Sequence, residues 1–343
     1  MRIVTLCFCL VLFMNIYAED TAFGNSIAEL SGPIVKRLAE RVAPDEKGAM
    51  GRNRRNYFHV RFQLGMHHLA NYGLIKQQPR AVELFLNAAE YSFRHQEVDG
   101  SFKVVIPSEL EELGVPSQAD QASGVAFFLS SLGSGIHALE TNKWFNESVQ
   151  CDEFRDRLAV IKEKLPSTLS YIMKHCEQLK IIDRAAPNRL LFNGLALYSI
   201  GKILSNEKAL EAASEFIALA TSQVHEEGYF IEGGGFDSSY NGVAAALAWR
   251  LLLMGYSKAE LGPICVKAID WQKGRITDEG KIRTDGNTRV NPGGDGESFL
   301  GRTKDVDVAH TIEALLLAAQ YMDNAKYGNL ASRVYDHYRK NQK

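Results

Sequence analysis

The sequence predicts an all-α fold assembled from helical hairpins, on three observations. Apolar periodicity is helical almost throughout, the helices come in two alternating kinds, and one turn signature recurs along the chain. Period-two alternation never lasts more than a few residues, so strands are confined to short decorations such as 102–106 and 229–231.

One kind of helix is apolar nearly all round: Ser123–Leu139, Arg189–Leu204, Gly242–Met254 and Val308–Met322. A helix with no polar face must be buried, so these are inner helices. The other kind alternates with them, at Arg80–His95, Glu207–Val224, Lys258–Gln272 and Ala325–Lys340. Here charge lies on one face and apolar residues at i, i+3 and i+4 on the other, which marks outer helices. The turn signature follows three of the outer helices: His95-Gln96-Glu97-Val98-Asp99-Gly100-Ser101-Phe102, then Gln223 to Phe230, then Gln272 to Ile282. Each gives Gln, an acidic residue with Gly, and an apolar residue, before a loop of variable length leads into an apolar helix. A hairpin of this kind cannot bury its own apolar face and stacks on its neighbours. At about 50 residues per repeat the chain holds about six hairpins. Their natural closure is an α/α toroid, with inner helices around a funnel and short loop strands gathered at one mouth.

The first residues read as an export signal: Arg2 supplies positive charge, Ile3 to Met14 an apolar stretch, and Ala18 a small residue before the cleavage point. Residues 1–18 are thus expected to be a signal peptide and 19–343 one toroid domain, secreted or periplasmic. The apolar stretch is too short for a comfortable membrane span, and stable membrane insertion is not expected. Of five cysteines, Cys7 and Cys9 fall in the signal, leaving Cys151, Cys176 and Cys265. Three separated thiols make neither a disulfide scaffold nor a cysteine-based zinc site. Charge is balanced, 39 Lys+Arg against 41 Asp+Glu, which argues against nucleic acid as a partner.

Functional groups are densest from His225 to Arg250, where Gly233-Gly234-Gly235, two carboxylates and Tyr240-Asn241 precede an apolar helix. Glycines let backbone approach a ligand closely, and a helix start favours an anion such as a uronate. Ser238 or Asp237 would cap that helix. These turns and alternating helices resemble the α/α toroid enzymes, which include polysaccharide lyases, six-hairpin glycoside hydrolases, and the terpenoid cyclases and prenyltransferases. The last two groups fit poorly. Asp305-Val306-Asp307-Val308 lacks the final acid of the cyclase motif, and no cysteine is placed as a prenyltransferase zinc ligand.

The resemblance therefore implies carbohydrate chemistry, and two reactions compete. Lyase β-elimination needs a base and groups that neutralise a carboxylate. Tyr240 is the expected base, Asn241 and His225 the carboxylate partners, with Arg189 and Arg302 reaching in from neighbouring hairpins. Hydrolysis needs two carboxylates instead, here Glu232 and Asp237 with Asp120 nearby. Asn193, Arg302, Asp120, Gly234 and Trp249 are the expected substrate contacts. The preferred reading is an exported lyase cleaving an acidic, uronate-containing polysaccharide; a hydrolase or a non-catalytic glycan-binding protein are the alternatives. No cofactor is expected. His310 reads as a core histidine, although Asp305, Asp307 and His310 could together hold a metal. His67 and His68, adjacent in a helix, are expected to face different ways, and 291–297 reads as a long turn. Asn146-Glu147-Ser148 is a glycosylation sequon.

Overall fold

The structure is a computed structural model that describes residues 22–108, 116–288, 297–299, 302–304 and 306–340. The expected signal peptide lies outside these residues. Fifteen helices are described: α1 (Ala22–Ala28), α2 (Gly32–Val42), α3 (His67–Lys76), α4 (Pro79–Phe93), α5 (Gln118–Glu140), α6 (Lys143–Glu147), α7 (Asp152–Lys162), α8 (Leu165–Lys174), α9 (Cys176–Ile182), α10 (Pro187–Leu204), α11 (Glu207–Thr221), α12 (Ser238–Leu253), α13 (Lys258–Gly274), α14 (Val308–Tyr321) and α15 (Ala325–Lys340). The expected α/α toroid is what they form. Helices α3, α5, α10, α12 and α14 stand side by side as the inner wall, and α4, α7, α8, α11, α13 and α15 pack outside them. Arg37 of α2 donates to the Tyr335 hydroxyl of α15 (3.1 Å), so the first and last parts of the ring meet.

Burial follows the two helix kinds. Leu190, Leu191, Leu195, Ala196 and Leu197 on α10 are fully buried, as are Ala244 to Trp249 on α12. Helix α5 is long and apolar enough to cross a membrane, but 94% of its apolar window is buried inside the ring. The outer wall between α5 and α10 is not one amphipathic helix but the short series α6 to α9. Exposed Val160 and Ile181 break the pattern that would have marked it in the sequence.

The two ends of the ring are built differently. At one end α3, α10, α12 and α14 each turn directly into the next outer helix. The amides of Gln78, Asn206 and Asn324 reach back to the carbonyls of Gly73, Gly201 and Ala319 across a left-handed residue, a Schellman closure. At the other end the chain crosses inward from outer to inner helix, and all the long loops gather there. The recurrent turn explains itself at this end. Gln96 bridges Phe102, Val224 bridges Phe230 and Ile276 bridges Ile282. Between the bridged residues Gly100, Gly228 and Gly280 take φ of 85°, 102° and 90°. A Cβ at any of them would overlap the backbone of the next outer helix, at Ser167, Lys267 and Arg333 respectively. The signature is therefore a joint that lets one outer helix lie on its neighbour. Segments 102–106 and 229–231 are single bridges rather than strands, and the strands described are β1 (Glu297–Phe299) and β2 (Arg302–Lys304), an antiparallel pair. Cys151, Cys176 and Cys265 are buried free thiols.

Candidate active site at the mouth of the ring

Every inner helix begins at the loop-bearing end, so their first turns converge on the axis. Three of the five starts, those of α5, α12 and α14, are fixed by a side-chain cap. Ser117 Oγ accepts the Asp120 amide on α5 (3.1 Å), and Asp237 accepts the Ser239 and Tyr240 amides on α12 (2.9 and 3.0 Å). On α14, Asp307 accepts the His310 amide (3.0 Å). Asp307 also does a second thing: its other oxygen takes the His310 Nδ1–H at 2.9 Å. One carboxylate thus fixes both a helix start and an imidazole orientation, leaving Nε2 as the nitrogen open to a ligand. Burial works against a charge on His310, but the Asp307 carboxylate outweighs it and raises the imidazole above its ordinary value. Asp307 is held below the usual carboxylate range in return. The two first turns are tied together, since the Asp307 amide donates to Ser239 Oγ (2.8 Å).

An aromatic run leads from this pair to a cation. The His310 ring meets Phe192 of α10 edge-on at 6.1 Å, Phe192 lies 4.2 Å from Phe127 of α5, and the Arg61 guanidinium sits over Phe127 at 4.6 Å. Burial and the nearby Arg189 both act against the Arg61 charge, a penalty that a bound anion would relieve. Its Nε has no hydrogen-bond partner. His59, buried beside it, is lowered to about 4 and is neutral. Across the mouth Arg189 pairs with buried Asp183 (2.8 Å), which also receives the Asn193 amide (3.0 Å).

The structure separates the residues singled out in the sequence. Tyr240, Arg189 and Asp120 belong to the converging first turns, and Asn193 lies one turn deeper on α10. Asn193 and Asp183 are wholly buried, so Asn193 supports Arg189 from below rather than facing solvent. Asn241 is buried as a brace: Phe230 N donates to its Oδ1 (3.1 Å) while its Nδ2 donates to Gln272 Oε1 (2.9 Å), joining the recurrent turn to α12 and α13. His225 lies in that same turn, stacked on Tyr229 at 4.5 Å. Neither is placed to neutralise a substrate carboxylate. Asp237 is fully buried as a cap, and Glu232 is buried in a tight turn whose ends bond to each other, Glu232 N to Gly235 O at 2.9 Å. Two such carboxylates do not offer the open pair that hydrolysis requires. Gly234 is open, with nothing near its Cα face. Trp249 lies far down α12, fully buried against Tyr321 (5.3 Å), and is core rather than substrate contact. Arg302 is in β2, opposite Phe299, while Asp305 and residues 291–296 lie outside the described residues.

Below the mouth the axis is filled by charge rather than by apolar packing. Glu313, one turn deeper on α14 than His310, accepts from His67 Nε2 (2.9 Å), and the Arg250 Nε lies 3.4 Å from the same oxygen. His67 Nδ1 meets Ser131 Oγ at 3.0 Å. His67 and His68 do not diverge as expected. They occupy the first turn of α3 with ring centroids 4.0 Å apart, and both join Glu313 in one cluster whose ligand-type atoms lie within 4.8 Å. Burial lowers His67 to about 4, while Arg250 and the histidines hold Glu313 well below the carboxylate range despite its burial. The cluster resembles a divalent-metal pocket, but Arg250 already neutralises the carboxylate a metal would need.

Sequence reasoning missed Arg61, His59, Phe127 and Phe192, and it placed His310 in the core. The available signal was Asp-x-x-His at a helix start, a spacing that puts cap and imidazole within one turn. Neither a protein-family model nor a curated protein matches the chain. Among solved structures it is similar to a D-mannose isomerase, with TM-score 0.50 and 13% identity over 89% of this chain and 83% of that one. It is equally similar to an unsaturated glucuronyl hydrolase solved with the oligosaccharide dGlcA-Glc-Rha-Glc, with TM-score 0.50 and 13% identity over 93% of this chain and 84% of that one. Both are α/α toroids, and at this identity the likeness is one of fold.

Proposed function

We propose that this chain is an exported carbohydrate-active enzyme that cleaves an acidic glycan by β-elimination at the mouth of the ring. The observation that carries the reading is the Asp307–His310 pair: an oriented, partly open imidazole at 2.9 Å from its carboxylate, in line with Phe192, Phe127 and the under-partnered Arg61. Arg61, with Arg189, takes the uronate carboxylate and the charge that spreads onto it as the neighbouring carbon loses its proton. His310 Nε2 takes that proton as general base. The electron pair left behind forms a carbon–carbon double bond as the β carbon–oxygen bond breaks, and Tyr240 gives its hydroxyl proton to the departing oxygen. Phe127, half-buried, offers an apolar surface for the sugar ring, backed by the buried Phe192. Side chains alone carry this scheme. The assignment moves the base from Tyr240 to His310 and leaves Tyr240 as the acid.

A glycoside hydrolase would need a carboxyl held protonated by a raised pKa. Glu232 and Asp237, the carboxyls the sequence offers for that reaction, are both buried, Asp237 as a helix cap. Aldose–ketose isomerisation begins with the same kind of proton abstraction, and the product decides between the two. Incubation with a panel of uronate polysaccharides, followed by near-ultraviolet absorbance and a reducing-end assay, separates them. Elimination gives both signals together. Reducing ends without absorbance would indicate hydrolysis, and ketose formation from a free sugar would indicate isomerisation; either result overturns the lyase reading.

A further inference from the structure

A cavity opens at the same end of the ring, on the far side of α14 from His310. It encloses about 570 Å³ between α2, α14 and α15 and lies where the ring closes on itself. Val308, Ala309 and Ile312 form its back wall. Its polar lining is strongly cationic. Arg37, Arg41 and Arg339 face it with Tyr335 and Tyr338, against the single carboxylate of Glu40. Glu40 is taken by Arg37 at 2.9 Å. Arg339 stands over the Tyr335 ring at 5.8 Å and contacts Asp336 at 3.5 Å. Arg41 has no ion pair among the described residues, and its charge is felt by Asp307 on the other side of the same helix turn.

We propose that this seam is a secondary subsite for an acidic oligosaccharide, gripping the part of the glycan that runs beyond the sugar held at the mouth. The assignment rests on the lyase reading for its polymer, but the site itself stands on its own lining. Its volume is that of a small-ligand pocket, arginines bind carboxylates through paired N–H groups, and tyrosine rings supply flat faces for sugar. The cavity and His310 flank one helix start, whose width with side chains is about 10 Å. A chain laid over that turn touches both, and a single sugar does not.

The test is direct binding of a uronic-acid tetramer, with a neutral hexose tetramer as control, measured by calorimetry on the full chain, its Arg41→Glu/Arg339→Glu variant and its His310→Ala variant. Circular dichroism checks that each is folded. Losing two charge-assisted contacts should weaken binding of the acidic tetramer by about 10-fold or more, while the His310→Ala protein still binds it. Undiminished binding in the double variant overturns the seam proposal and leaves the mouth reading intact. Equal binding of the neutral tetramer also overturns it, because the arginines would then select nothing. An unaltered chain that binds no acidic tetramer overturns both readings.

Discussion

The rim of the mouth and its axis lie at the same end of the ring, yet the same residue types do different work in them. On the rim, from His225 to Asn241, aromatic, acidic and amide side chains are spent on each other and on backbone. His225 stacks on Tyr229, Asn241 braces two helices, and Asp237 is a buried cap. On the axis, Arg61, just ahead of α3, and His310, in the first turn of α14, keep an unused nitrogen. Density of functional groups in sequence therefore marks the rim. The rim's own unpaired atoms, Asp237 Oδ2 and Asn287 Nδ2, are sealed inside it, whereas the His310 imidazole on the axis is held by one nitrogen alone, and catalysis needs groups that are oriented but not used up.

The largest stability effect is expected just below the axis. Arg250→Ala leaves Glu313 buried without its guanidinium and should cost about 3–5 kcal/mol in denaturant unfolding, since an unpaired buried charge is worse than none. On the rim, Gly228→Ala combines a left-handed backbone with overlap against the Lys267 backbone and should cost about 2–3 kcal/mol, read the same way. Comparable losses at Gly100 and Gly280 would extend the joint to all three turns.

A smaller and pH-dependent effect belongs to the axis. Asp307 is lowered on folding, so its contribution is present above the ordinary aspartate value of about 3.9 and is lost as pH falls through its folded value. His310 is raised, so its contribution is full below about 6.5 and is lost as pH rises through its folded value. Glu313 and Arg250, the other charges facing His310, act in opposite directions on it. The pair should therefore add stability chiefly between these pH values, and His310→Gln should flatten that region of a melting-temperature profile. Least of all, Asn206→Ala removes the cap of α11, a 3.0 Å bond to the Ala209 amide, and should cost about 1 kcal/mol.

The fold was legible because burial imposes periodicity. An inner helix such as α12 must be apolar on every side, and the joint at Gly100, Gly228 and Gly280 needs glycine each time, so both leave a repeated mark. The site was legible only in part. Tyr240, Arg189 and Asp120 sit in helix starts that the sequence located. Arg61 comes from an irregular segment with no period, and its value lies in contacts with Phe127 and Arg189 from distant hairpins. His310 looked like core because its neighbours on α14 are apolar, whereas its exposure depends on where the ring places that first turn. His67 and His68 misled for a related reason: the start of α3 brings both rings to one cluster.

The most direct measurement is the elimination rate per folded molecule for His310→Gln beside Gly228→Ala, on whichever uronate glycan the intact chain cleaves. The account predicts that His310→Gln lowers the rate by about 10²–10⁴-fold in a protein that still folds, and that folded Gly228→Ala retains its rate. Unchanged elimination by His310→Gln, or an equal loss in folded Gly228→Ala, would contradict the division between a structural rim and a catalytic axis.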